Sequence, residues 1–242
     1  MTHEIIQLMQ QLRLTGMRAA FESLVATKNM DQTGNDELLN LLLQAEYDER
    51  ESHKANRRLQ NARFRIRASM EEIDFLTSRG INKNQLLRLT DGSFVKNAEN
   101  ILITGPTGIG KSFLASAIGH QVCKLGYKTN YFLAQKLFAM LRMSKADESY
   151  SRLMKRIEKQ DLLIIDDFGM QPMDDQNRMM LLEIVEDRHQ FRSTIISSQL
   201  PVEKWYDIIG ESMVADAILD RLVHTAHRIE LSGESMRKLK KV

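Results

Sequence analysis

Gly105-Pro106-Thr107-Gly108-Ile109-Gly110-Lys111-Ser112 decides the fold. The stretch fits G-x-x-x-x-G-K-[ST], the phosphate-binding P-loop. Its glycines let backbone N–H groups wrap the β- and γ-phosphates with no Cβ in the way. Lys111 brings a positive charge to the β/γ-oxygens, and the Ser112 hydroxyl is a ligand for Mg²⁺. The helix beginning at Phe113 points its N-terminal dipole at the anion. The flanks stand in the required order. Ile101-Leu102-Ile103-Thr104 is a short apolar run of the kind a buried parallel strand shows. Phe113 to Lys124 carries Leu114, Ala117, Ile118 and Cys123 as a helical apolar stripe. Residues 105–113 are therefore the expected nucleotide-binding set.

Downstream, Leu162-Leu163-Ile164-Ile165-Asp166-Asp167 has the form of a Walker B strand. Apolar residues run to the carboxyl edge of the sheet, where ligands bind in open α/β sheets. Asp166 is the expected Mg²⁺ holder, directly or through water, and Asp167 the group that orients the attacking water. Ser197, Ser198 and Gln199 come directly after the strand Thr194-Ile195-Ile196. Each is placed either to reach the γ-phosphate or simply to cap the strand end. Gln199 is favoured, because its amide both donates and accepts. No N/T-K-x-D element stands after the P-loop, so ATP is expected rather than GTP. Arg221 is either an arginine finger reaching a neighbouring subunit's phosphate or an ion-pair partner of Asp216 or Asp220.

The surrounding pattern alternates strand and helix. Strands are expected at 101–104, 128–133, 162–165, 194–197 and 226–231, with helices between them at 134–143, 149–159, 175–190 and over much of 202–222. That alternation predicts an α/β domain with a parallel five-stranded sheet covered on both faces. Upstream, residues 1–78 read as helix, with Thr15 a candidate cap for the second helix. Asn29 to Asn35 reads as a loop, and a leucine-dense third helix starts near Asp36. The expected organisation is a small all-α N-terminal domain (1–78), a connector (79–98) and an ATPase domain (99–242).

The net charge of +2 over 242 residues is uninformative, but its distribution is not. Arg152, Lys155, Arg156 and Lys159 share one helix side, and Lys54 to Arg67 holds six basic residues, Lys54, Arg57 and Arg58 among them, with no acid. Such faces are either solvated surface or phosphate-backbone contacts. A single cysteine, Cys123, excludes an internal disulfide and suits a reducing cytosol. No apolar run approaches a membrane span, and the N-terminus lacks a signal-peptide pattern. The histidines form no metal cluster.

With GPTGIGKS at 105–112, LLIIDDFG at 162–169, SSQLPVEKWYDIIGE at 197–211 and ADAILDRLVHTAHRIELSGESMRK at 215–238, nearly the whole chain resembles a known family. It is similar to the IstB-like ATP-binding transposition helpers of IS21-type insertion sequences, in the initiator and helicase-loader branch of AAA+ ATPases. The resemblance implies an AAA+ core with an extra helix near 149–159. It also implies homo-oligomers assembled by ATP on double-stranded DNA, deformation of that DNA, and recruitment of an IstA-like transposase in the cytoplasm. Lys111 and Ser112 would then meet nucleotide and Mg²⁺, with Asp166 on the metal and Asp167 at the position of the family's catalytic acidic residue. Gln199 would be the sensor, and Arg221 the finger. The chain departs from the general AAA+ pattern in ending Walker B with Asp-Asp, which withdraws the carboxylate by about 1.5 Å, and in a Gln sensor. Little chain remains after the last strand, so no full helical lid is expected; Arg237 is either a second sensor or part of a basic tail. A helicase loader of the DnaC/DnaI type is the principal rival, and a small-molecule P-loop kinase a distant one.

Overall fold

The five apolar runs form one sheet in the computed structural model, which describes residues 2–27, 34–75 and 79–236. The strands are β1 (Asn100–Thr104), β2 (Thr129–Leu133), β3 (Leu162–Phe168), β4 (Ser193–Ser198) and β5 (Ala226–Glu230). All pairings are parallel, in the order β2-β3-β4-β1-β5. Both faces are covered, which explains why the runs 101–103 in β1 and 162–165 in β3 are continuously apolar rather than alternating. Ile101, Ile103, Leu162 and Ile164 point into one core layer, and Leu102, Leu163 and Ile165 into the other. Each such side chain contributes roughly 1.5–3 kcal/mol on burial.

The helices in chain order are α1 (Thr2–Gln11), α2 (Thr15–Ala26), α3 (Asn35–Ala62), α4 (Lys83–Leu89) and α5 (Ser93–Lys96). After β1 come α6 (Lys111–Lys124), α7 (Ala134–Ala146), α8 (Tyr150–Glu158), α9 (Asp175–Arg188), α10 (Trp205–Ile209) and α11 (Ser212–Val223). The first layer packs α6 against the sheet, with Cys123 buried at its far end. The second layer is built from α7 to α11. Asn82 caps α4 by accepting from the amides of Asn84 and Gln85. Thr15 is the first residue of α2 rather than its cap; Leu14 takes the cap position and makes no side-chain bond there.

By compactness the chain divides into Met1–Arg57 and Arg58–Val242. The first unit packs α1, α2 and the start of α3 around Met9, Phe21 and Leu42. Its leucine-dense stretch is only half core, since Leu39, Leu41 and Leu43 are exposed. The helical run expected to reach residue 78 ends at Ala62, where Arg63 turns left-handed at φ 58°. Residues 63–75 hold one 3-10 turn, Met70–Glu72. This segment belongs with the sheet because Ala68 and Ile73 are buried in the first core layer and Phe64, Ile66 and Met70 pack against it. The connector also enters that layer, through Leu86, Leu89, Phe94 and Val95.

Candidate nucleotide-binding site

β1 ends at Thr104, and the chain loops through Gly105 to Gly110 before α6 begins at Lys111. Gly105, Gly108 and Gly110 hold φ of 146°, 80° and 110°, values a side chain would strain. Ile109 is fully buried, so it anchors the loop from below. A cavity of about 550 Å³ opens above the loop. Thr107, Lys111, Ser112 and Phe113 line its floor, and Asp167 and Gln199 come in from the strand ends.

Lys111 is buried, and its ammonium donates to the carbonyls of Gly105 at 2.7 Å and Pro106 at 2.9 Å. Burial pulls its pKa below the ordinary lysine value, against the opposing pull of Asp167 and Asp166. A cation desolvated in this way has a strong demand for an anion, which a triphosphate meets.

Asp166 is fully buried, with one carboxylate oxygen accepting from the Tyr131 hydroxyl and the other from Ser197 Oγ. Burial and this bond push the Tyr131 pKa well above the ordinary phenol value, so Tyr131 remains a donor. Asp167 sits at a break in the β3–β4 register, in the left-handed region at φ 56°. Strained backbone of this kind at a strand end re-aims a side chain. Here it directs the carboxylate to the cavity, with Arg65 Nη1 3.6 Å away.

Of the three polar residues at the end of β4, Gln199 lines the cavity, and its Oε1 accepts from Thr107 Oγ1 at 2.6 Å. Ser198 turns away to donate to the Phe168 carbonyl at 2.8 Å. Arg221 does not line this cavity. It pairs with Glu186 on α9 at 2.7 Å and donates to its own helix at Ala217, so neither Asp216 nor Asp220 is its partner. Arg152, Lys155, Arg156 and Lys159 all lie on the solvent side of α8 and its end, while Met154 and Ile157 on the opposite side are buried. In the other basic stretch Lys54 pairs with Glu51, Arg57 is exposed and Arg58 is half-buried. Arg237 lies outside the described residues.

The oxygen donors fit Mg²⁺, a hard cation that binds few protein ligands and keeps its waters. Ser112 lines the cavity; Asp166 is fully buried rather than among the lining residues, with both oxygens already engaged, which suits contact through water. Among the described residues no cluster of three His, Cys, Asp or Glu could hold a metal alone.

Sequence reasoning missed four cavity or near-cavity residues. Tyr131 needed the β2–β3 pairing to be known, and Arg65 was hidden inside a basic block. Arg79, buried, donates to Ile109 O at 3.4 Å beneath the loop. Met236 donates its backbone N–H to Gly108 O at 3.0 Å and lines the cavity.

The profile of the family described as IstB-like ATP binding protein matches residues 7–242. A Sinorhizobium fredii protein named as an insertion sequence ATP-binding protein (y4pL) is 42% identical over 98% of this chain and 97% of its own length. The insertion sequence IS21 counterpart of Pseudomonas aeruginosa is 28% identical over 97% and 89%. Among solved structures, DnaI superposes with a TM-score of 0.60 at 21% identity over 73% of this chain and 94% of its own. The DnaC helicase loader gives 0.53 at 19% identity over 72% and 99%, a likeness of fold.

Proposed function

Because the chain belongs to the IstB-like ATP binding protein family and is an ATPase of the AAA+ fold, we propose that it is an ATP-dependent DNA-binding helper of transposition. In this reading subunits assemble on double-stranded DNA with ATP between them, deform the duplex and recruit an IstA-like transposase of an IS21-type element. It works in the cytoplasm, on nucleoid DNA; among the described residues no helix is long and apolar enough to cross a membrane.

The observation that carries the reading is the row of four cations along the solvent side of α8 and its C-terminal end, in the same compact unit as the nucleotide cavity. Cations spaced along one helix side neutralise backbone phosphates without reading bases. Bending a short duplex costs on the order of 1–10 kcal/mol, which many weak phosphate contacts in an oligomer offset. The Lys54, Arg57 and Arg58 stretch adds a second phosphate-binding surface.

In the hydrolytic step the P-loop amides and Lys111 hold the β- and γ-phosphates. Ser112 and Asp166 would hold Mg²⁺, which would supply charge neutralisation for the transferring phosphoryl group. Tyr131 and Ser197 keep Asp166 oriented. Asp167 accepts a hydrogen bond from the attacking water, and Gln199 positions that water from the other side. Arg221 leaves Glu186 to stabilise the phosphoryl group on the next subunit, which makes hydrolysis depend on assembly.

The test is binding to a labelled duplex of about 60 base pairs and to single strand of equal length, with and without ATP and Mg²⁺. Duplex binding that requires ATP and disappears in Lys111→Ala is expected. Preference for single strand would favour a helicase loader of the DnaC/DnaI type instead.

A further inference from the structure

Two arginines from outside the P-loop line the nucleotide cavity: Arg79, whose guanidinium donates to the Asp74 and Ile109 carbonyls, and Arg65. Arg65 stands three residues beyond the end of α3, yet it lines the same cavity as Lys111, Ser112, Asp167 and Gln199. Its Nη1 lies 3.6 Å from the Asp167 carboxylate. Its charge also reaches Tyr131, the residue bonded to Asp166. Arg65 is therefore at the Walker B end of the cavity, where the γ-phosphate of ATP would lie.

The backbone around Arg65 is held by packing. The Phe64 ring lies 4.3 Å from the His120 ring on α6 and 6.2 Å from Tyr131, centroid to centroid. Ile66 packs on the first core layer and Ala68 is buried within it. The Arg65 side chain itself is about half exposed (53%), so it can swing while its Cα stays in place.

We propose that Arg65 is a γ-phosphate-contacting residue of its own chain, which rests on Asp167 when no triphosphate is present and moves to the phosphate when ATP binds. A guanidinium presents several donors in one plane and grips a phosphate at two oxygens. The γ-phosphate carries more charge than one carboxylate, so it outcompetes Asp167 for Arg65. The exchange takes the Arg65 guanidinium off the Asp167 carboxylate. ADP has no γ-phosphate, so with ADP bound Arg65 stays on Asp167. The consequence is discrimination between ATP and ADP by a residue outside the P-loop and the strand ends. This role for Arg65 rests on the cavity being the nucleotide site.

The experiment is titration calorimetry of the full chain with a non-hydrolysable ATP analogue and with ADP, both with Mg²⁺. Wild type, Arg65→Ala and Arg65→Lys are compared. Arg65→Ala is expected to weaken the ATP analogue about tenfold or more, the size of a lost charged hydrogen bond, and to leave ADP within about twofold. Arg65→Lys should recover part of the loss. Equal weakening of both nucleotides would indicate a structural role and overturn the proposal, as would no change in either. A failure of the nucleotide-site reading looks different: wild type would then bind neither nucleotide, and the proposal would fall with it.

Discussion

Asp167 is the only residue of its strand in the left-handed region, and it stands where the β3–β4 register breaks. Its neighbour Asp166 is regular and buried. Two adjacent carboxylates thus face different environments, one pinned by two donors and the other at the cavity wall. This difference is what the distinct roles proposed for the two carboxylates rest on. Asp167→Asn should retain ATP binding within a few-fold and lower kcat about 10²–10⁴-fold, the range for loss of a general base. Steady-state hydrolysis beside equilibrium nucleotide binding checks this; equal losses in both would place Asp167 in binding alone. Tyr131→Phe removes one of the two hydroxyl donors from the buried Asp166 carboxylate. It should lower stability by about 1–3 kcal/mol and raise the Mg²⁺ concentration needed for half-maximal hydrolysis. Denaturant melts and a Mg²⁺ titration of the rate are the measurements. The pair Asp166 and Asp167 was readable from the sequence, as was Gln199, because an apolar strand ending in polar residues is a local pattern. Tyr131 was not, because its role comes from a hydrogen bond to a different strand.

At the scale of elements, α6 carries two loads: its first residue is the P-loop lysine and its middle is packed against the sheet. Gly119 makes that packing possible. A Cβ there would come within 2.6 Å of the Phe64 ring and 2.7 Å of Ile164 Cδ1. Gly119→Ala should therefore cost about 1–3 kcal/mol by overpacking, seen as a lower midpoint in a denaturant melt. The next residue, His120, has its pKa pulled below the ordinary value by burial and then by Lys124 and Arg67. Its folded form resists protonation, so the unfolded chain binds more protons as pH falls below the ordinary histidine range. Stability contributed by this residue should be fully present above about pH 6.5 and decline below it. Comparing melts at acidic and neutral pH checks this, with a smaller difference expected in His120→Gln. On the other side of the sheet Arg188 is almost fully buried. It donates to the carbonyls of Ile157 and Gln160, tying the end of the basic helix α8 to the start of β4. Strand and helix identities in this half came from periodicity. The end of α3 at Ala62 did not, because the residues after it are polar enough to continue a helix and leave it only to bury Phe64, Ile66 and Ala68.

For the whole molecule, packing and sequence pattern divide the chain at different places. A change from helix to alternating strand and helix suggested 78, whereas compactness separates 1–57 from 58–242. A fragment of residues 58–242 should fold and melt cooperatively. A fragment beginning at 81 lacks Ala68, Ile73 and the Phe64 wedge, and should melt at markedly lower temperature or aggregate; circular dichroism melts of the two would settle the boundary. The P-loop, the Walker B strand and the five-stranded α/β plan were determined by the sequence itself, since each is a matter of residue type at short spacing. The order β2-β3-β4-β1-β5 was decided only by the tertiary structure. Setting β4 between β1 and β3 is what brings Ser197 to Asp166 and Gln199 to Thr107. Setting residues 63–69 along α6 is what brings Arg65 to Asp167. Contacts between such distant residues arise from which apolar faces bury one another, and no local pattern in the chain encodes that choice.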